Sequence, residues 1–441
     1  MERIDTLINA RWVIPVEPDC EAEDHHSIAI RGGKIVGLLP TAQAADRYEA
    51  EEVIDRPRHA LMPGLVNAHT HAAMSLLRGL ADDLPLMNWL KDHIWPAESR
   101  WVSAEFVADG TELAIAEMLR GGTTCFNDMY FFPDVVARTA SRLGIRVCAG
   151  LIVLDFPSAW ADSPDEYLSK GLELHDEYKA HPLVTTGFAP HAPYTVADQP
   201  LERLRKLSDE LDAPVHVHLH ETVEEIRQSQ ERYGERPIER FQRLGLISPL
   251  LAAVHMTQLE ESDLALIAEA RSNVVHCPES NLKLASGLCP VARLIDAGIN
   301  VAIGTDGAAS NNDLDMIGEM RTAALIGKLA ADSAEALTAR DVIRMATLNG
   351  ARTLGLGDET GSLVPGKWAD VICIDMARLN TEPVYDPVSQ IVYAASRDQV
   401  VDVWVGGHRL LVDGVLERLD EDAVLERARS WQRLISESTE H

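Results

Sequence analysis

Pro214 to Thr222, PVHVHLHET, places a histidine at every second residue, His216, His218 and His220, among the apolar Val215, Val217 and Leu219. Two is the period of a β-strand, where alternate side chains share a face. The stretch therefore predicts a short strand with three imidazoles on one side, and asks which of them, if any, holds a metal ion.

Similar apolar runs recur on both sides: GLVNAHTH, TTCFNDM, IRVCAGLIV, LVTTGFAPHA, AAVHM, NVVHCP and VAIGTDG. With PVHVHLHE their number is close to eight, and helix-like segments such as Leu201 to Leu211 and Leu337 to Leu354 separate them. A fold of the α/β class, a (β/α)8 TIM-like barrel over residues 63–358, is the economical topology. Nearly every polar residue with catalytic potential stands at the end of a run, which is the C-terminal mouth where such barrels place their chemistry. Residues 1–62 read instead as short strands, with Gly32-Gly33 at a tight hairpin and no helix evident before Ala42. The strand pattern returns after Gly361 in GKWADVICID and in VVDVWVGGHRLLVDG, a hairpin around Gly406-Gly407. Residues 1–62 and 359–441 are expected to pair into a small β-sandwich, followed by an amphipathic helix from Asp420 to about Ser436.

The bulk numbers narrow the function. The chain has 441 residues, 46% of them hydrophobic, and a formal net charge of −29. So acidic a protein would repel nucleic acid or an anionic membrane, and a small neutral or polar substrate fits better. Met1 to Leu7 is charged, no signal-like apolar run follows, and no segment reaches the length of a membrane span, so a cytoplasmic protein is expected. Cys20, Cys125, Cys148, Cys277, Cys289 and Cys373 form no Cys-x-x-Cys pair, which disfavours a disulfide framework or a thiolate zinc site.

His69 and His71 in NAHTH lie two apart at the end of the first run. A lone His pair is more often structural, but four further strand ends also carry His or Asp. Two imidazoles from NAHTH, one from VHVHLHE and the carboxylate of Asp306 in IGTDG make an N3O set suited to Zn²⁺ or Fe²⁺, with a position left for water. Other motifs fail. Glu224 stands where a zincin helix after His220-Glu221 would need its second histidine, and no Pro-Cys-x-x-Cys follows His175-Asp176-Glu177. No phosphate loop, dinucleotide fingerprint or Gly-x-Ser-x-Gly elbow is present.

Taken together, His69-Thr70-His71, His218, His255, Asp306 and the composite terminal domain resemble the amidohydrolase superfamily over essentially the whole chain. MPGLVNAHTH, GFAPHAPY, HCPESNLKL and GTDGAASNN are similar to its branch of 5′-methylthioadenosine/S-adenosylhomocysteine deaminases, triazine chlorohydrolases and guanine deaminases. The resemblance implies one divalent metal ion, Zn²⁺ before Fe²⁺, because the fourth strand lacks the lysine of binuclear members. It implies His69, His71, His218 and Asp306 as ligands and Glu221, in His-x-x-Glu, as the proton shuttle. Asp306 would also accept the water's proton, and His255 would hydrogen-bond the nucleophile. His216 becomes a core histidine, and His220 a mouth or packing group. For the substrate, the resemblance places Glu98 on the ribose hydroxyls, Trp89 near the base and His191 on the purine ring, with Glu221 and Asp306 also touching it.

The implied reaction is hydrolytic deamination of 5′-methylthioadenosine, with adenosine or S-adenosylhomocysteine less favoured. Ala149 stands where several family members carry an arginine before the Gly-Leu of the third strand, and an arginine fork would suit the carboxylate of S-adenosylhomocysteine. The alternatives are a triazine-type chlorohydrolase, a free-base guanine or oxoguanine deaminase, or a catalytically silent scaffold. A homo-oligomer, dimer or tetramer, is also expected.

Overall fold

The computed structural model describes residues 1–439. Eight parallel strands follow one another in the sheet in chain order: Leu65–Thr70, Thr123–Asp128, Arg146–Val153, Val184–Pro190, Val215–Leu219, Leu251–His255, Asn273–His276 and Val301–Ile303. Side chains pack on both faces of such a sheet, which is why the strands read as near-continuous apolar runs. The ring closes between its eighth and first strands largely through side chains. The Thr305 N–H donates to Asn67 Oδ1 (3.0 Å), Asn67 Nδ2 donates to Thr305 Oγ1 (2.8 Å), and the Asp306 N–H donates to the His69 carbonyl (3.0 Å). Gly304 permits this approach, since a Cβ there would lie 2.7 Å from the His69 backbone nitrogen.

Strands from both termini do come together, but as one continuous nine-stranded mixed sheet rather than as two packed sheets. Glu2–Val13 pairs in parallel with Tyr48–Pro63 and antiparallel with His26–Arg31. Val371–Asp375 pairs antiparallel with Tyr48–Pro63, which ties the C-terminal strands to the N-terminal ones. Alternation along Glu2–Val13 sends Ile8 into a cluster with Leu61 and Trp404, and Leu7 into a separate cluster with Ala29 and Tyr48. Arg146, which opens the third barrel strand, anchors this sheet to the barrel floor. Its guanidinium donates to both oxygens of Asp370 (3.0 and 3.2 Å) and to the Pro182 carbonyl (2.6 Å).

Helix limits differ in places from expectation. A short helix, Thr41–Arg47, lies within the first 62 residues. The segment expected as one helix from Leu337 to Leu354 is two, Ala339–Met345 and Leu348–Thr353, broken where Thr347 leaves helical backbone at φ −132° and ψ −94°. The helix around Leu201 to Leu211 starts earlier, at Asp198, and the last helix is Glu421–Thr439.

Candidate metal and catalytic site

At the mouth, His69 lies on the first strand, His71 just beyond it, His218 on the fifth, and Asp306 three residues past the end of the eighth. One ligand atom from each lies within 4.8 Å of all the others. His218 Nε2 is 3.1 Å from His69 Nε2, and Asp306 Oδ1 is 3.1 Å from His71 Nε2 and 3.3 Å from His69 Nε2. A tetrahedral zinc with bonds of about 2.0–2.2 Å holds its ligand atoms about 3.3 Å apart, so these spacings fit.

The hydrogen bonds behind the ligands make the same point. His218 Nδ1 faces the His191 carbonyl at 2.7 Å and His71 Nδ1 the Met129 carbonyl at 2.5 Å. A carbonyl only accepts, so both rings carry their proton on Nδ1 and present a lone pair at Nε2. His69 Nδ1 pairs with His216 Nε2 at 2.7 Å, which gives His216 a place behind the ligand rather than among the ligands. Lone pairs and a carboxylate converging in a buried space repel one another unless a cation lies between them. Without one, a proton must substitute. Burial opposes charge on His71, but Asp306 and the Met129 carbonyl overcome it and hold its imidazole up to about 9, while burial pushes His69 down to about 4. Asp306 stays ionised: burial resists its charge, but hydrogen bonds from His69 and His71 hold it well below the usual carboxylate range.

His220 breaks the alternation on which the opening expectation rested. The strand ends at Leu219, and His220 takes left-handed backbone at φ 54°. Its ring turns away from the ligands, with Nε2 accepting from the Ile238 N–H (3.1 Å) and Nδ1 3.1 Å from the Gln258 carbonyl. His220 is thus a packing group, and two imidazoles rather than three face the barrel interior. His255 and Asp306 also adopt positive φ, 76° and 63°. Sparsely populated backbone of this kind clusters at functional sites held by their surroundings.

A cavity opens from the ligand cluster, and Trp89, Glu98, His191, Glu221 and His255 all line it. Burial pushes the Glu221 carboxyl above its ordinary value. Trp89 and Glu98 come from a helical stretch with a π-helical turn at Leu90–Ile94, the kind of irregularity that re-aims side chains at functional sites. Burial raises Glu98 to about 7, and the Tyr130 hydroxyl donates to its Oε1 at 2.7 Å. His191 is lowered by burial to about 3, and is therefore neutral. Ala149 is buried in the third strand and does not line the cavity, which is instead flanked by Phe156, Pro157 and Leu284. Among the described residues no lysine or arginine lines it.

Three contributions were not read from the sequence. Tyr130 has no motif of its own. Glu225 does: Thr222-x-x-Glu225 has the form of a capping box. Its carboxylate accepts from the backbone N–H groups of His220 and Glu221 (both 2.8 Å), which fixes the turn that carries Glu221. Ser280 and Ser310 donate to Asp306 Oδ2 (2.7 and 2.9 Å), so that Oδ1 is the oxygen directed at the histidines.

A model of the amidohydrolase family matches residues 60–410. The 5-methylthioadenosine/S-adenosylhomocysteine deaminase of Teredinibacter turnerae is 51% identical, with 97% of each chain covered. A crystal structure of an adenosine deaminase from Xanthomonas campestris with bound zinc superposes with a TM-score of 0.98 at 54% identity, covering 99% of both chains. Atrazine chlorohydrolase from Arthrobacter aurescens shares the fold at a TM-score of 0.90 and 23% identity, covering 97% of this chain and 99% of its own. With the ligand cluster at its barrel mouth and a family match over most of its length, the chain belongs to the amidohydrolase family.

Proposed function

We propose that this protein is a zinc-dependent aminohydrolase that converts 5′-methylthioadenosine, and adenosine less efficiently, to the inosine-type nucleoside and ammonia. The observation that carries this reading is a single cavity with Glu221 and His255 beside the ligand cluster and the Glu98–Tyr130 pair also in its wall. The relatives named for adenosine-type substrates support it, as does the zinc in the Xanthomonas structure.

A divalent ion held by His69, His71, His218 and Asp306 would lower the pKa of a bound water towards neutrality. The protein's own groups then handle the protons. Asp306 Oδ1 faces the ligand cluster and takes the proton of the attacking water. Glu221, whose carboxyl burial pushes above its ordinary value, delivers a proton to purine N1 as C6 is attacked, and afterwards helps protonate the leaving amino group. An ionised Glu98 accepts from both ribose hydroxyls while Tyr130 donates to its other side. Trp89 packs near the base, and the neutral His191 contacts the ring.

The cavity's lack of a cation supports a preference for an uncharged 5′ substituent over S-adenosylhomocysteine, whose carboxylate would be desolvated beside apolar residues without a partner. This lining, rather than Ala149, is the basis of the preference. Glu98 favours a ribosylated substrate over free guanine or a triazine, and the complete ligand set argues against a silent scaffold. Six buried, unpaired cysteines suit a reducing compartment such as the cytoplasm, and exposed Leu325 and Leu329 suit association into a dimer or tetramer. The test follows adenine absorbance with methylthioadenosine, adenosine, S-adenosylhomocysteine and guanine side by side. The highest kcat/KM is expected on methylthioadenosine; equal values for S-adenosylhomocysteine would overturn the preference, and turnover of guanine alone would overturn the assignment.

A further inference from the structure

We propose that Asn281, in the HCPESNLKL segment, is a positioning residue that holds His255 in the tautomer protonated at Nδ1, leaving Nε2 as an acceptor for the attacking water. The role of that water rests on the aminohydrolase reading above; the tautomer does not.

HCPESNLKL carries more than a likeness to relatives. In the fold it ends the seventh strand and forms the helix Pro278–Lys283, one turn of which reaches two separate mouth residues. Ser280 Oγ donates to Asp306 Oδ2 at 2.7 Å, and the next residue, Asn281, sets its Oδ1 2.9 Å from His255 Nδ1. Consecutive side chains thus brace Asp306, which would take the water's proton, and His255, which would accept its hydrogen bond. His255 is buried, lines the cavity, and stacks on the ligand His218 with ring centroids 5.4 Å apart and planes 16° apart. With Nδ1 occupied by Asn281, Nε2 is the ring nitrogen left for the reaction.

The rest of the Asn281 side chain is committed to no other protein group. Asn281 is 3% exposed, and among the described residues no protein group pairs with its Nδ2 or with Nδ1 of His276, which lines the same small secondary cavity. A buried amide is held in place by the hydrogen bonds that it does make. The bond to His255 is the side-chain contact that Asn281 makes with a mouth residue. Because a carbonyl oxygen only accepts, Asn281 Oδ1 requires a proton on Nδ1, and a neutral imidazole then has its lone pair on Nε2. The opposite amide orientation would place the proton on Nε2 and turn His255 from an acceptor of the water's hydrogen bond into a donor to it.

The experiment uses the zinc-loaded enzyme with nitrogen-labelled histidine, the His255 signal being assigned by its loss in His255→Gln. In the wild type, nitrogen NMR should show His255 protonated at Nδ1. Asn281→Leu should retain one metal ion per chain and its KM, show a mixture of His255 tautomers, and lose roughly 10- to 100-fold in kcat, by analogy with the partners that orient metal-ligating histidines. Asn281→Asp, which keeps the acceptor, should retain the Nδ1–H tautomer and lose less. A wild-type proton on Nε2 overturns the proposal, even if Asn281→Leu does not fold. So does a kcat that falls only in proportion to lost metal, or an unchanged kcat and tautomer in Asn281→Leu. Failure to turn over any adenosine-type nucleoside would instead refute the aminohydrolase reading, with the tautomer still decided by the spectrum.

Discussion

At the barrel floor, Arg146 and Asp370 are 3% and 2% exposed, and each charge is met from several sides. Arg146 also reaches the Pro182 carbonyl, and Asp370 also accepts from Thr360 Oγ1 (2.8 Å) and the Gly406 N–H (2.6 Å). At the mouth, His69, His218 and Asp306 are buried to a similar degree, but their facing ring nitrogens and carboxylate oxygen meet chiefly one another, and a proton or a cation must lie between them to relieve the repulsion. The floor is complete as protein, and it joins the terminal sheet to the barrel. The mouth is complete only with a cation. Buried polarity alone therefore does not distinguish a structural cluster from a functional one; the balance of donors and acceptors does.

The largest effect that tests this contrast lies within PVHVHLHET. His218→Asn removes a ligand and is expected to lose the bound metal and at least on the order of 1,000-fold in kcat, since a catalytic ion supplies several kcal/mol of transition-state stabilisation. His220→Asn should keep the metal and lose thermal stability, because its ring bridges Ile238 and Gln258. Elemental analysis and a melting curve on both variants check this. Metal retained by His218→Asn but lost by His220→Asn would reverse the assignment.

Much of the barrel and the ligand set was legible because strands buried on both faces need unbroken apolar runs, and because a parallel barrel collects the residues at strand ends. His69, His71 and Asp306 could be proposed in this way from their places at the ends of the apolar runs. Choosing His218 over His220 could not, since strand periodicity says nothing of where the strand stops; that the chain turns left-handed at His220 is a matter of backbone and of packing against residues 18 and 38 positions away. Tyr130 meets Glu98 across 32 residues and Asn281 meets His255 across 26, contacts that topology creates and no local motif announces. Glu225 is the exception, because its capping signal is local and could have been read.

The floor should respond in the opposite way to the mouth. Arg146→Met leaves the Asp370 carboxylate buried without its counter-ion, and breaking such a pair typically costs about 3–5 kcal/mol. Urea unfolding should show that loss, while the folded fraction keeps its metal and its kcat/KM. Replacing both partners, with Asp370→Leu added, should cost less than the single change, because no unpaired charge then remains. A double variant less stable than Arg146→Met would mean that the other bonds to Asp370, from Thr360 and Gly406, outweigh the ion pair.

The smallest effect concerns a carboxyl intermediate between the two clusters. Glu98 has one firm donor, Tyr130, and burial raises its pKa from 4.5 to about 7. The sign follows from what the ribose needs. Below the raised pKa Glu98 is protonated and can accept less from the two hydroxyls; above it, the carboxylate accepts from both. Between pH 6 and 8 the ionised fraction rises from about a tenth to about nine-tenths, so KM for a ribonucleoside should fall by about fivefold to tenfold as pH rises. Other buried groups titrate nearby, burial lifting Asp128 to about 6, so the slope needs a control that isolates the ribose. Adenosine should show it, 2′,3′-dideoxyadenosine should not, and Glu98→Gln should flatten it for adenosine. A KM that varies equally with pH for both nucleosides would detach Glu98 from the ribose and return it to a role in packing against Tyr130.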